Sequence, residues 1–152
     1  MYATATQNAP SLYSSRSMSS VYQQIGVETA IIGAEPHRLI TMLFDGALVS
    51  FAQARGALAA KDIEAKCRHI SKAVRIVEEG LRGGLDLRVG GELAQNLHAL
   101  YGYVSARLTQ ANLRSDDAAL EECARLLTPL REAWLAIRTD ASAQTLKKEV
   151  MA

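Results

Sequence analysis

The sequence predicts an all-α protein, an antiparallel four-helix bundle with a short N-terminal cap segment. Two observations predict it. Four stretches repeat apolar residues in alternating steps of three and four, and the connections between them are short. The stripes run Ile40, Leu43, Ala47, Phe51, Ala54, Leu58; then Ile63, Cys67, Ile70, Val74, Val77, Leu81. The third is Leu93, Leu97, Leu100, Val104, Leu108, Ala111, and the fourth Leu120, Cys123, Leu127, Leu130, Trp134, Ile137. Residues three and four apart stack on one side of an α-helix, so each stretch presents one apolar face. Four such faces joined by short connections are satisfied by turning all of them inward.

Residues 1–17 read as a flexible N-terminal tail: they are rich in Ser, Thr, Ala and Asn, contain Pro10 and carry no acidic group. Such composition buries too little to order itself, although Tyr2 and Tyr13 offer rings that can dock. The bundle domain spans 18–138. It opens with a cap segment, Met18 to Thr29, whose apolar face is Val21, Tyr22 and Ile25. That segment is too short to be helical alone and must pack on the bundle or fray.

The first long helix starts at Pro36, a residue suited to the first turn because its missing N–H would be unpaired anyway. Ala60-Lys61-Asp62 makes the next turn, with Asp62 as N-cap. The second helix ends between Gly80 and Asp86, weakened by Gly80, Gly83 and Gly84. Gly90-Gly91 leads into a third helix, from about Glu92 to Leu113. Ser115 caps the fourth, and Asp116, Asp117, Glu121 and Glu122 lie near its N-terminus, where the helix dipole favours negative charge. Residues 139–152 read as a flexible C-terminal tail with at most one loose helical turn around Leu146 and Val150.

At 152 residues the chain is one domain with room for a real core. A net charge of +1 gives no electrostatic reason to expect nucleic acid or an anionic membrane. No apolar run reaches the ~20 residues of a membrane span, and no secretory signal is visible. Both cysteines fall on core stripes, where free Cys acts as a small apolar residue. These features predict a cytoplasmic protein.

A helix bundle invites a di-iron site, which needs Glu-x-x-His pairs. His37, His69 and His98 instead have Ala34, Lys66 and Gln95 three residues before them, so no metal or other cofactor is expected. No Cys-x-x-Cys, phosphate-loop spacing or nucleophile signature occurs, so no enzyme is expected either. Lys61, Arg68, Arg75 and Arg82 repeat at heptad spacing with Lys72 alongside. Glu64 and Glu78 stand four residues before Arg68 and Arg82, which predicts a solvated face of intrahelical pairs.

What remains is surplus apolar surface. Leu39, Met42 and Val49 form a second stripe on the first helix, and Tyr101 and Tyr103 widen the arc of the third. Tyrosines at the rim of an apolar groove suit a partner helix, because the ring is apolar and the hydroxyl stays wet. The cap segment is the other occupant of that surface.

Blocks along the chain resemble the flagellar secretion chaperone FliS family. They are Pro36-His37-Arg38-Leu39-Ile40-Thr41-Met42-Leu43-Phe44-Asp45-Gly46-Ala47, Gly84-Leu85-Asp86, and Gly90-Gly91-Glu92-Leu93-Ala94-Gln95-Asn96-Leu97. Further along come Leu100-Tyr101 with Tyr103, Arg107-Leu108, Ala111-Asn112-Leu113-Arg114 and Ala133-Trp134, while Tyr22 takes the place of the family's N-terminal Tyr. The resemblance covers about residues 21 to 138. It implies a bundle that wraps the disordered C-terminal segment of flagellin in its outer grooves as the N-terminal cap is displaced. An export-gate component is the second partner it implies. Tyr22, Ile25, Leu97, Tyr101, Tyr103, Val104 and Leu108 are the expected partner-binding residues, on a monomer or weak homodimer. A generic helical adaptor of a secretion system is the alternative. Glu35 departs from the family's Ser N-cap, and Gly102 from its Asp between the tyrosines.

Overall fold

In the computed structural model of the chain, Leu12, Tyr13 and residues 36–151 are described, with side chains as far as Ile137. The expected cap segment, with Tyr22 and Ile25, and the departure at Glu35 lie outside the described residues. Among the described residues four helices follow one another: α1 (Pro36–Ala59), α2 (Ile63–Arg75), α3 (Gly91–Arg114) and α4 (Asp117–Met151). Helix α2 continues without a break into a π-helical segment, Ile76–Arg82. The all-α four-helix architecture expected from the stripes is the one observed.

Cross-helix bonds give the direction of each element. On α1, Arg55 pairs with Asp117 and Arg131 of α4 pairs with Asp45, while His37 meets Trp134. Positions rising along α1 therefore meet positions falling along α4. Lys66 with Asn112 and Glu78 with Ser105 give the same reversal between α2 and α3. The bundle runs up, down, up, down, with its core along the common axis.

Local chemistry places the ends. Asp62 caps α2, its side chain accepting from the Ala65 amide at 3.1 Å. Lys61 just before it takes a positive φ of 59°, which lets the three-residue turn reverse the chain. Ser115 does not cap α4 as expected: it sits left-handed at the C-terminus of α3, and Asp116 accepts from the Ala119 amide instead. A left-handed residue closing one helix cannot also take the extended conformation of an N-cap. Nor does α4 stop near Arg138; the helix continues to Met151, where the sequence suggested a tail. It passes through Pro129, whose missing N–H falls on an exposed side of the helix.

The core contains the expected stripes of α1 and α4, with Ile40, Leu43, Ala47, Phe51, Leu120, Cys123 and Leu127 buried. On α2 the stripe is turned at its start. Ile63 is exposed and Cys67 half-buried, while Lys66, Ile70 and Ala73 face inward. Lys66 is tolerated because its Nζ donates to the Asn112 carbonyl at 3.0 Å and the Ser115 Oγ at 2.8 Å. An ammonium over the C-terminal carbonyls of α3 meets the negative end of that helix. Lys66→Met, which keeps the apolar stem, is expected to lower stability by about 1–3 kcal/mol through the two unmet acceptors. Urea denaturation of both proteins measures the difference.

Candidate partner-binding surface

Tyr101 and Tyr103 are two residues apart on α3, so their side chains diverge by about 200° around the helix. One must go in when the other goes out. Tyr101 is buried at 1% exposure, whereas Tyr103 is 46% exposed at the α3–α4 edge. The expectation that both tyrosines rim a groove is thus corrected. Val104 and Leu108 are fully buried as well, and Leu97 is half-buried. The inward face of α3 begins at Ala94 and passes through Leu97 and Tyr101, not through Leu93 and Leu100. Tyr101 can be interior because its hydroxyl has a buried neighbour, the Tyr13 hydroxyl at 3.4 Å.

Tyr103 is held from α4. Its hydroxyl donates to Glu122 Oε2 at 2.5 Å, and Arg107 Nε donates to Glu122 Oε1 at 2.7 Å. Both carboxylate oxygens are engaged, and these bonds, the tyrosine's first, hold the Glu122 carboxyl below its ordinary range. The same bond raises the Tyr103 phenol. The bond ties the tip of the ring to α4 and leaves the residue 46% exposed. Among the described residues, Val49, Ile63, Leu87, Val89, Leu93 and Leu113 are the other large apolar residues left exposed. They lie on α1, α2, α3 and the loop that precedes α3.

Gly102, between the tyrosines, makes room for a neighbour. A Cβ there would lie 2.9 Å from the Arg82 guanidinium. Arg82 crosses at this point to donate to the His98 carbonyl at 3.1 Å and to Glu78 at 3.0 Å, and Glu78 accepts from Ser105 at 2.7 Å. The expected Glu78–Arg82 pair therefore exists and is tied into α3. The expected Glu64–Arg68 pair is not formed among the described residues, and Arg75 pairs with Glu79 instead.

At the opposite end from Lys66, the π segment, the loop before α3, α3 itself and the middle of α4 converge on Leu12 and Tyr13. Both residues, from the 1–17 segment read as a tail, are buried. The Tyr13 hydroxyl donates to the Leu81 carbonyl at 2.9 Å, and the ring stands edge-on to Trp134 with centroids 5.9 Å apart. Trp134 in turn stacks on His37 at 4.6 Å. Their bonds are reciprocal: His37 Nε2 donates to the Trp134 carbonyl at 2.6 Å, and Trp134 Nε1 to the His37 carbonyl at 2.9 Å. The backbone of the dipeptide runs antiparallel to the chain at Leu85, and the Asp86 amide donates to the Leu12 carbonyl at 2.5 Å. Gly90 permits this approach, since a Cβ there would fall 2.7 Å from Leu12 Cδ2. A pair of large apolar residues amid small polar ones was the only sequence signal for it.

Among the described residues no cluster of His, Cys, Asp or Glu could hold a metal ion, and no helix is long and apolar enough to cross a membrane. Comparison with known proteins matches residues 18–141 to the family described as flagellar protein FliS. The chain is 49% identical over 123 residues to the flagellar secretion chaperone FliS of Salmonella typhimurium, covering 81% of this chain and 91% of that one. It is 43% identical over 123 residues to the flagellar secretion chaperone FliSB of Pseudomonas aeruginosa, covering 81% and 96%. With the Bacillus subtilis FliS it shares 35% over 115 residues, 76% of this chain and 81% of the relative.

Proposed function

From the premise that the chain belongs to the flagellar secretion chaperone FliS family, we propose that its client is the disordered C-terminal segment of flagellin. The family is one of chaperones for flagellar export, not of enzymes. In the proposed cycle the protein works in the cytoplasm. It covers the flagellin segment that would otherwise drive filament assembly, and it delivers the subunit to the export apparatus through an export-gate component. The observation that carries the reading is the exposed apolar set, Val49, Ile63, Leu93, Tyr103 and Leu113, spread over α1, α2 and α3. A folded partner needs one contiguous patch, but a disordered one can collect separated contacts by wrapping and folding as it binds.

The test is calorimetric titration with a peptide covering the flagellin C-terminal segment from the same organism. A saturable one-to-one isotherm with a large negative heat-capacity change is the expected result. No heat and no co-elution would remove flagellin and leave a helical adaptor with another client. In the same titration Tyr103→Ala is expected to weaken binding about tenfold, the loss of one interfacial aromatic. The ring is half outside the bundle, so the melting temperature should change little. Equal loss of affinity and stability would remove Tyr103 from the contact surface.

A further inference from the structure

We propose that Glu122 is a positioning residue for client binding: braced by Arg107, it holds Tyr103 across the seam between α3 and α4 in the orientation a partner meets. The proposal rests on the reading of Tyr103 as a client contact. Tyr103 and Arg107 are four residues apart on α3, so both lean to the same side of that helix. Glu122 stands opposite them in the second turn of α4 and takes one bond from each, on different oxygens. Arg107 is itself steadied by Gln110, whose side-chain oxygen accepts from Nη1 at 2.7 Å. The four side chains form one continuous run of donors and acceptors along the edge of the bundle.

Burial separates the roles within this run. Tyr103 is 46% exposed, whereas the Arg107 and Glu122 side chains are 25% and 27% exposed. With both carboxylate oxygens already engaged, Glu122 has little to give a partner directly. Its bonds, the tyrosine's first among them, also keep the carboxyl ionised at neutral pH. A charged acceptor makes a stronger bond than a neutral one, so the phenol is tied at its far end as well as at Cα. Freed of that bond, a half-exposed tyrosine samples several rotamers, and a partner must then order it on binding. The tie moves that ordering into the folding step. Glu122 therefore raises affinity without touching the client.

The test is a double-mutant cycle in the titration with the flagellin C-terminal peptide, joined to a measurement on the free protein. Glu122→Ala is expected to weaken binding about two- to fivefold, and Tyr103→Phe, which lacks the hydroxyl, should give a similar loss. The two together should lose no more than either alone. Glu122→Gln, whose amide oxygen can still accept from the phenol, should restore most of the affinity. In the free protein, three-bond couplings to the Tyr103 Hβ protons report its χ1. One rotamer should dominate in the wild type and averaging should appear in Glu122→Ala, with circular dichroism showing the helices intact. Losses that multiply in the double variant would make Glu122 a contact in its own right and overturn the proposal. Unchanged affinity in Glu122→Ala, or the same χ1 in both proteins, would overturn it as well. Tyr103→Phe breaks the same bond and keeps the Arg107–Glu122 pair, so it decides the point if Glu122→Ala does not fold: undiminished affinity refutes the role. No heat from the wild type overturns the client assignment and takes the affinity role with it, whereas the couplings decide the tie between Glu122 and Tyr103 without any client.

Discussion

Tyr101→Ala is expected to lower the free energy of unfolding by about 3–5 kcal/mol, the range for emptying a large aromatic site in a packed core. Tyr101 is among the largest fully buried side chains and stands between the interior of the bundle and Tyr13. Its removal leaves a cavity on α3 and takes the neighbour from the Tyr13 hydroxyl. Tyr101→Phe separates the two effects: the ring volume is retained, so about 1 kcal/mol is the expected loss. Urea midpoints for the three proteins give the comparison. Near-equal losses for Ala and Phe would show that the hydroxyl, not the ring, carries the site.

Alkali should destabilise the bundle steeply. Burial pushes the Tyr101 phenol up to about 12 from 10.0, and the Cys123 thiol up to about 12 from 9.0. For Cys123 the neighbouring Glu122 carboxylate adds to the burial. In both groups the folded state holds the proton more tightly than the unfolded chain. Their contribution is therefore fully present below pH 9 and is lost as pH rises towards about 12. Together they remove on the order of 5 kcal/mol across that window. Denaturant midpoints measured at intervals across it should fall continuously, and Cys123→Ala should flatten the early part of the fall. A midpoint that holds to the top of the window would mean that the folded protein raises neither group above its unfolded value.

Much of this fold was legible because periodicity is a backbone property. The stripes of α1 and α4 lie where the three-and-four spacing puts them, and Pro36 and Asp62 begin their helices for reasons contained in single residues. The misreadings occur where a polar group finds a distant partner. Lys66 was hidden as a core residue because its acceptors, Asn112 and Ser115, belong to another helix. Tyr101 looked like a rim residue until Tyr13 supplied a neighbour for its hydroxyl, 88 positions away in the chain. Exposure of the candidate surface residues was less legible than the fold. Tyr103 alone of the expected side chains is both described and well exposed, since apolar character does not say which of two faces a neighbouring element will cover.

The π-helical segment Ile76–Arg82 has one more consequence. A turn closed by i→i+5 bonds takes in a residue more than an α turn. Deleting one residue from Ile63–Arg75 would swing everything after it by about 100°, carrying Leu81 away from Tyr13 and Arg82 away from His98. Deleting one within Ile76–Arg82 would let the wide turns tighten to α spacing while Leu81 kept its direction. The second helix thus carries slack, a spare link placed just ahead of the residues whose aim matters, and the chain can lose length there without losing its bearings.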